Sequence, residues 1–170
     1  VIRRLGVSVQ TPDEAFTALS MRTVSHIQLP FNLLDQRWRE AGVPAAAKAR
    51  GDVLIHARSI YLQGILAAED SAFWPKVHGV DAEGTLYMLD TLAQLFRRMS
   101  IADLCLAYVR GQDWIHGLVI GMETEEQLDR NLALFDSEPL TWSEIADLEP
   151  RLPRFPEALV NPALWPRRSE

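Results

Sequence analysis

Leu5-Gly6-Val7-Ser8-Val9-Gln10-Thr11-Pro12-Asp13-Glu14 (residues 5–14) passes from an apolar stretch straight into a helix start. Thr11 is a capping residue, Pro12 suits the first helical turn, and Glu14 stands where its carboxylate can reach back to the cap. A strand that runs directly into a helix is one unit of β-then-α alternation, and the chain repeats it. Further short runs rich in β-branched or apolar residues lie near 24–29, 53–57 and 118–120. Each is nearly continuous in apolar character, as expected of strands covered on both faces. Helical patterns fall between them. That order predicts a parallel sheet with right-handed crossovers.

Other helix boundaries are equally well marked. Thr124-Glu125-Glu126-Gln127 and Thr141-Trp142-Ser143-Glu144 repeat the capping-box pattern, and Ser100 caps a helix running to about Arg110. Gly51 is placed to stop a helix ending at Arg50. Leu86, Leu89, Leu92, Ala93 and Phe96 recur at helical spacing, as do Ile101, Leu104, Cys105 and Tyr108, then Leu128, Leu132 and Phe135. Each set predicts one stripe laid on the sheet. From Pro150 the chain changes character: Pro150, Pro153, Pro156, Pro162 and Pro166 alternate with Phe155, Leu159, Leu164 and Trp165. This predicts an extended tail packing apolar side chains across a surface. Four strands suit either a small open α/β sheet of flavodoxin type or half of an eight-stranded barrel, whose whole needs ~250 residues.

Composition bounds the function. In 170 residues, 17 Lys and Arg stand against 23 Asp and Glu, a formal charge of −6, with 48% hydrophobic residues. The proportions are globular, and the acidic balance argues against nucleic acid or an anionic membrane as partner. No apolar run reaches the ~18 residues of a membrane-spanning helix. The lone Cys105 excludes an intrachain disulfide and a cysteine-rich zinc site, and it fits a reducing, cytoplasmic setting. The chain opens without Met or a signal pattern and enters a strand at once, which suggests a cut through something larger.

In either architecture, chemistry gathers where strands end and loops lead into helices. Ser8 and Val9 end the first strand, and Gln28, Pro30 and Asn32 the second. Arg58, Ser59, Tyr61, Gln63 and Gly64 follow the third, and Gly121, Met122 and Glu123 the fourth. Polar residues at such positions form either a ligand rim or bonds to loop backbone. Gly121 to Gln127 is a strand-to-helix turn able to present N–H groups to an anion, although Glu123, Glu125 and Glu126 oppose a phosphate there. His26, His56, His78 and His116 lack metal-ligand spacing, and His26 and His56 are expected as satisfied strand residues. The chain has no nucleophile elbow, no P-loop and no dinucleotide glycine fingerprint. Glu69 and Asp70 are expected to be solvated surface charge.

Gly6-Val7-Ser8-Val9 followed by Thr11-Pro12-Asp13-Glu14-Ala15 resembles the fifth strand and helix of aldo-keto reductases. Ile27-Gln28-Leu29-Pro30-Phe31-Asn32-Leu33-Leu34-Asp35 is similar to the sixth-strand motif. Ala57-Arg58-Ser59-Ile60-Tyr61-Leu62-Gln63-Gly64 is similar to the seventh. Val119-Ile120-Gly121-Met122-Glu123-Thr124, with Gln127, Leu128 and Asn131, is similar to the eighth. Order and spacing agree across roughly residues 2–135, and Asn161-Pro162-Ala163-Leu164-Trp165 is similar to one branch of bacterial members.

The resemblance implies an α/β chain forming the C-terminal half of a (β/α)8 TIM barrel, with four parallel strands alternating with helices, a C-terminal helix and the Pro-rich tail. Residues 1–149 would be the cofactor-binding half-barrel, and residues 150–170 an extended tail packing on it. The implied activity is an NAD(P)H-dependent oxidoreductase reducing a small carbonyl substrate to an alcohol, with NADP or NAD as cofactor. By motif position Ser8 and Gln28 would hold the nicotinamide carboxamide, although the family's usual Asn is Val9 here. Arg58 would stack on nicotinamide, and Ser59 and Tyr61 would border the pyrophosphate. Gly121, Met122 and Glu123 would line the adenosine end. Gln127 stands where NADPH-preferring members carry an Arg, and Asn131 matches an adenine-contacting Asn.

The family's acid–base tetrad of Asp, Tyr, Lys and His belongs to the other half, so no catalytic residue is assigned and this chain alone is expected to be inactive. The competing readings are a non-catalytic stand-alone half-barrel serving as a binding or assembly module, and a flavodoxin-like nucleotide binder. A half-barrel also leaves two strand edges open, so the isolated chain is expected to self-associate. Val7, Val24, Ile27, Ile55 and Ile120 are candidates for an apolar inner face.

Overall fold

The computed structural model describes residues 2–165. Pro166 and the rest of the tail beyond Trp165 lie outside the described residues. Four parallel strands, β1 (Leu5–Ser8), β2 (Val24–Pro30), β3 (Leu54–Arg58) and β4 (Gly117–Val119), stand side by side in chain order. Between them run α1 (Pro12–Ser20), α2 (Arg37–Glu40), α3 (Val43–Arg50), α4 (Ile65–Ala68), α5 (Ala82–Leu95) and α6 (Ile101–Arg110). After β4 come α7 (Glu125–Phe135), α8 (Trp142–Leu148) and α9 (Glu157–Val160). The α/β alternation expected from the apolar runs is therefore present.

The local signals act as the sequence predicts. Thr11 and Thr141 each make a complete capping box, and Ser100 accepts from the Asp103 N–H. Thr124 accepts from the Gln127 N–H, but Gln127 Oε1 reaches one residue further back and takes the N–H of Glu123 at 2.7 Å. Gly51 ends α3 at φ 72°, a left-handed conformation that favours glycine. Gly111 ends α6 for another reason. A Cβ there would stand 2.3 Å from the Leu140 carbonyl oxygen, so the chain returning from α7 needs the missing side chain.

The core lies between the sheet and its helices. Ile27, Leu29, Ile55 and Ala57 are fully buried, and nearly every residue of α6 is buried with them, Cys105 included. Burial pushes the Cys105 thiol far above its ordinary value, so it stays protonated and inert.

Three expectations are corrected. The strands are not covered on both faces. Register pairs Val7 with Ile27 and Ile27 with Ile55, which puts these three on the helix-covered side. The opposite face carries Ser8, His26, Gln28, His56 and Arg58, all half-buried or exposed. At these positions it is polar where an apolar inner face was expected, because alternation sends every second residue away from the helices, while Val24, two residues before His26 on β2, is apolar and buried. Ile120 lies past the end of β4.

The α7 stripe is also misplaced. Leu128, Leu132 and Phe135 are exposed, and Leu134 is buried instead. Spacing defines a face but does not supply a neighbour to cover it. Of the tail residues expected to pack, Leu159 is buried, Phe155 and Trp165 are partly buried against the core, and Leu164 is exposed. Leu152 and Val160 are buried beside them, and the segment runs through α9 and single helical turns at Glu149–Arg151 and Pro162–Leu164, not as an extended strap. Prolines there occupy first-turn positions, where a missing N–H is harmless. Glu69 and Asp70 are exposed, as expected of surface charge, and they also cap: Glu69 Oε1 accepts from the Ile101 N–H, and Asp70 Oδ1 from the Ala72 N–H. Among the described residues no helix is long and apolar enough to cross a membrane.

Candidate functional site

The loop after β3 shapes the site. Ser59, Leu62 and Gln63 all have positive φ, and Gly64 follows at 88°. Three non-glycine residues in that region over six positions make a costly turn, of the kind that persists where surrounding structure holds it. Across from it the chain leaves β4 through Ile120, Gly121, Met122 and Glu123 into the capped start of α7. Between the two lies a cleft of about 1170 Å³ at the C-terminal ends of β3 and β4. A Cβ on Gly121 would meet nothing within 4 Å, so the backbone there borders open space.

Of the residues singled out in the sequence, Arg58, Ser59, Tyr61, Gly121, Met122, Glu123 and Gln127 line this cleft together. Asn131 stands behind it, its Oδ1 accepting from the Tyr61 hydroxyl at 3.2 Å. Ser8 and Gln28 lie off the cleft wall, on the open sheet face. They are register partners, with a long 3.5 Å hydrogen bond from Ser8 Oγ to Gln28 Oε1. Val9 is buried, donates its N–H to the Gln28 carbonyl and offers its own carbonyl to Arg58.

Arg58 is the cation of the cleft wall. Its Nη2 donates to Val9 O at 3.1 Å and to Gln10 Oε1 at 2.8 Å. Both acceptors are neutral, and among the described residues no carboxylate pairs with it. Burial pushes its pKa down from the usual value, yet an arginine stays charged. A half-buried, unneutralised guanidinium on a cleft wall suits an anionic or electron-rich ligand. Tyr61 is held neutral by burial, with Cys105 and Asp103 adding to the upward push. It therefore serves as a donor. The turn after β4 is acidic: Glu123 lines the cleft and Glu126 is held below the usual carboxylate range by its own backbone N–H and Thr124.

Sequence reading missed the third wall. Pro162 and Trp165 of the tail, with Phe73, Ile65 and Ala68, complete the cleft. Trp165 is fixed by its indole N–H donating to Leu159 O at 2.8 Å. Gln10 was also missed. No spacing rule marks a residue whose two partners lie 48 and 151 positions away.

On the open face the histidines behave otherwise than expected. The His26 and His56 rings meet edge to face at 4.3 Å, and His26 Nε2 is buried without a partner. Among the described residues no group of three or more His, Cys, Asp or Glu is placed to hold a metal ion.

The Aldo/keto reductase family model matches residues 1–150. No curated protein sequence matches the chain. Solved structures similar to it include the aldo-keto reductase AKR11C1 from Bacillus halodurans, at 21% identity and a TM-score of 0.70, covering 91% of this chain and 53% of that one. The glycerol dehydrogenase AKR11B4 from Gluconobacter oxydans is 19% identical with a TM-score of 0.65, covering 91% and 51%. The chain thus spans about half the length of the solved structures it matches, and at these identities the likeness is one of fold.

Proposed function

The chain belongs to the aldo/keto reductase family, and from that premise we propose that it supplies the cofactor-binding, C-terminal half of an NAD(P)H-dependent oxidoreductase that reduces a carbonyl to an alcohol. Strands β1 to β4 would be strands five to eight of the closed barrel. Residues 1–149 would form this half, and residues 150–170 a tail packed on it. The two unpaired sheet edges and the exposed α7 stripe support this reading over a stand-alone module.

The observation that carries it is the unneutralised Arg58 on a cleft that gathers seven of the residues singled out by motif. The cleft is large enough for a dinucleotide, since ligand pockets run to ~300–1,000 Å³. Ser8 and Gln28 would hold the carboxamide of the nicotinamide, and the Arg58 plane would lie against its ring. Ser59 and Tyr61 would border the pyrophosphate. Gly121, Met122 and Glu123 would line the adenosine, with Gln127 beside the ribose. Asn131 Oδ1 already accepts from Tyr61, so its amide N–H₂ is the group offered to adenine. The cofactor when bound supplies the hydride; this chain's residues bind and orient it and shield it from water. The proton donor would come from the tetrad outside this stretch.

Titration of the intact protein with NADH and NADPH, followed by nucleotide fluorescence, tests the reading. Saturable binding is expected, weakened about tenfold by Arg58→Met, the loss typical of one charge-assisted contact. Absence of binding by either nucleotide at millimolar concentration overturns it.

A further inference from the structure

We propose that Gln10 is a positioning residue that sets the Arg58 guanidinium in the cleft and ties its orientation to the seating of the tail. The inference rests on the cofactor-binding reading above only for the ligand that Arg58 meets.

The orientation of each amide follows from groups that cannot switch role. The Ala163 backbone N–H can only donate, and it donates to Asn161 Oδ1 at 3.2 Å. That atom is therefore the oxygen, and the Asn161 amide nitrogen turns to Glu157 Oε1 at 3.3 Å. Gln10 approaches the same Oδ1 at 3.0 Å, so it does so with Nε2. Its Oε1 is then left facing Arg58, which can only donate, at 2.8 Å. Asn161 is buried, which keeps water from substituting for these partners. The chain continues outward: Glu157 also accepts from Arg37, whose guanidinium holds the buried Asp35 through Nε and Nη2. Trp165, four residues past Asn161, forms a wall of the same cleft as Arg58. Seating of the tail and aim of the guanidinium are thus set by one hydrogen-bonded relay.

The test uses Asn161→Ala, which removes the anchor of Gln10 without touching Arg58. In the intact protein it should weaken nicotinamide dinucleotide binding about fivefold, as loss of one well-made hydrogen bond would. The effect should vanish in an Arg58→Met background and should not add to that of Gln10→Ala. Independently of any ligand, the Arg58 Nε–H resonance in nitrogen-15 spectra should shift and broaden in Asn161→Ala. Asn161→Asp combined with Glu157→Gln, which keeps Oδ1 and sets an amide donor opposite the new carboxylate, should restore the resonance toward its original position. An unchanged Arg58 resonance in Asn161→Ala overturns the inference, as does a binding loss that persists at full size without Arg58. Should the unmodified protein bind no dinucleotide, the functional reading fails while the resonance still decides the relay.

Discussion

Replacing Arg50 with Met should destabilise the fold by about 3 kcal/mol. Arg50 closes α3, yet its guanidinium reaches the far end of α1. Nη1 donates to Leu19 O at 2.6 Å, Met21 O at 3.0 Å and Ala18 O at 3.3 Å, Nη2 donates to Val24 O, and Nε meets Asp52 at 2.8 Å. The arginine side chain is 12% exposed and that of Asp52 72%, so the ion pair itself contributes little. Two of the four carbonyls keep another donor: Ala18 O accepts from the Met21 N–H, and Met21 O from the Val24 N–H. Leu19 O and Val24 O lose a charged donor. At ~1.5–3 kcal/mol for each hydrogen bond to a charged group, with water recovering part at the half-buried Leu19, the total comes to about 3 kcal/mol. Methionine preserves most of the apolar stem, which separates the hydrogen bonds from packing. Urea unfolding of the intact protein reads the change. With a slope of ~1–3 kcal/mol/M the midpoint should fall by about 1–3 M at unchanged slope. A loss below about 1 kcal/mol would refute the claim that this guanidinium anchors the α1 C-terminus to β2.

On the proposed reading, the protein should prefer NADH or discriminate weakly, because Gln127 is uncharged, its oxygen is committed to the Glu123 N–H, and Glu125 and Glu126 share the first turn of α7 with it. Gln127→Arg should shift the ratio of dissociation constants toward NADPH, and a tenfold NADPH preference in the unmodified protein would contradict the premise. Burial, then His26 and His116, hold the His56 pKa below the ordinary imidazole value, and the open face around it carries Arg58 but no carboxylate. The unfolded chain then takes up the proton more readily, so the stability His56 contributes is complete above about pH 6.5 and lost as pH falls through its lower folded value. Urea midpoints at pH 7.5 and 5.5 should differ less in His56→Gln, and an equal decline would exclude His56 as the cause. This chain alone should self-associate through the β1 and β4 edges and the exposed α7 stripe, and a monomer that resists concentration in light scattering would show those surfaces to be covered.

The sequence carries those features that depend on neighbours along the chain. Thr11, Ser100 and Thr141 announce their helices because a cap and its partner lie three residues apart. The four strands stand out because buried β-structure needs apolar runs. Motif positions likewise find Arg58, Tyr61, Gly121 and Gln127, which the fold brings to one cleft. What stays hidden depends on distant partners. Nothing local says that Val7, Ile27 and Ile55 face helices while His26 and His56 face away, since an apolar run without strict alternation hides which side is covered. Nothing local says that Leu128 and Leu132 stay exposed, or that Phe135 stays exposed with the Arg110 guanidinium over its ring. Gln10 is an ordinary polar residue until Arg58 and Asn161 are placed beside it.

The open face of the sheet has the construction of an interior. His26 lies against Gly6, where a Cβ would come within 3.2 Å of Nδ1, and His56 lies against Gly117, where a Cβ would come within 2.9 Å of Nε2. An exposed sheet face gains nothing from glycine in a strand, which weakens it; close approach of bulky rings is the circumstance that requires it. The register puts His26 and His56 on adjacent strands with their rings in contact, and His26 Nε2 is withdrawn from water without an acceptor. An imidazole nitrogen in that state costs free energy unless something supplies a partner. A second copy of this chain would bring the same Ser8, His26, Gln28, His56 and Arg58, with no carboxylate to meet two arginines and four histidines. The complementary half of a barrel, differing in sequence, is free to bring acceptors. The polar face thus supports closure by an unlike partner over closure by self, and it makes the self-association expected of this chain alone a weak, salt-sensitive one.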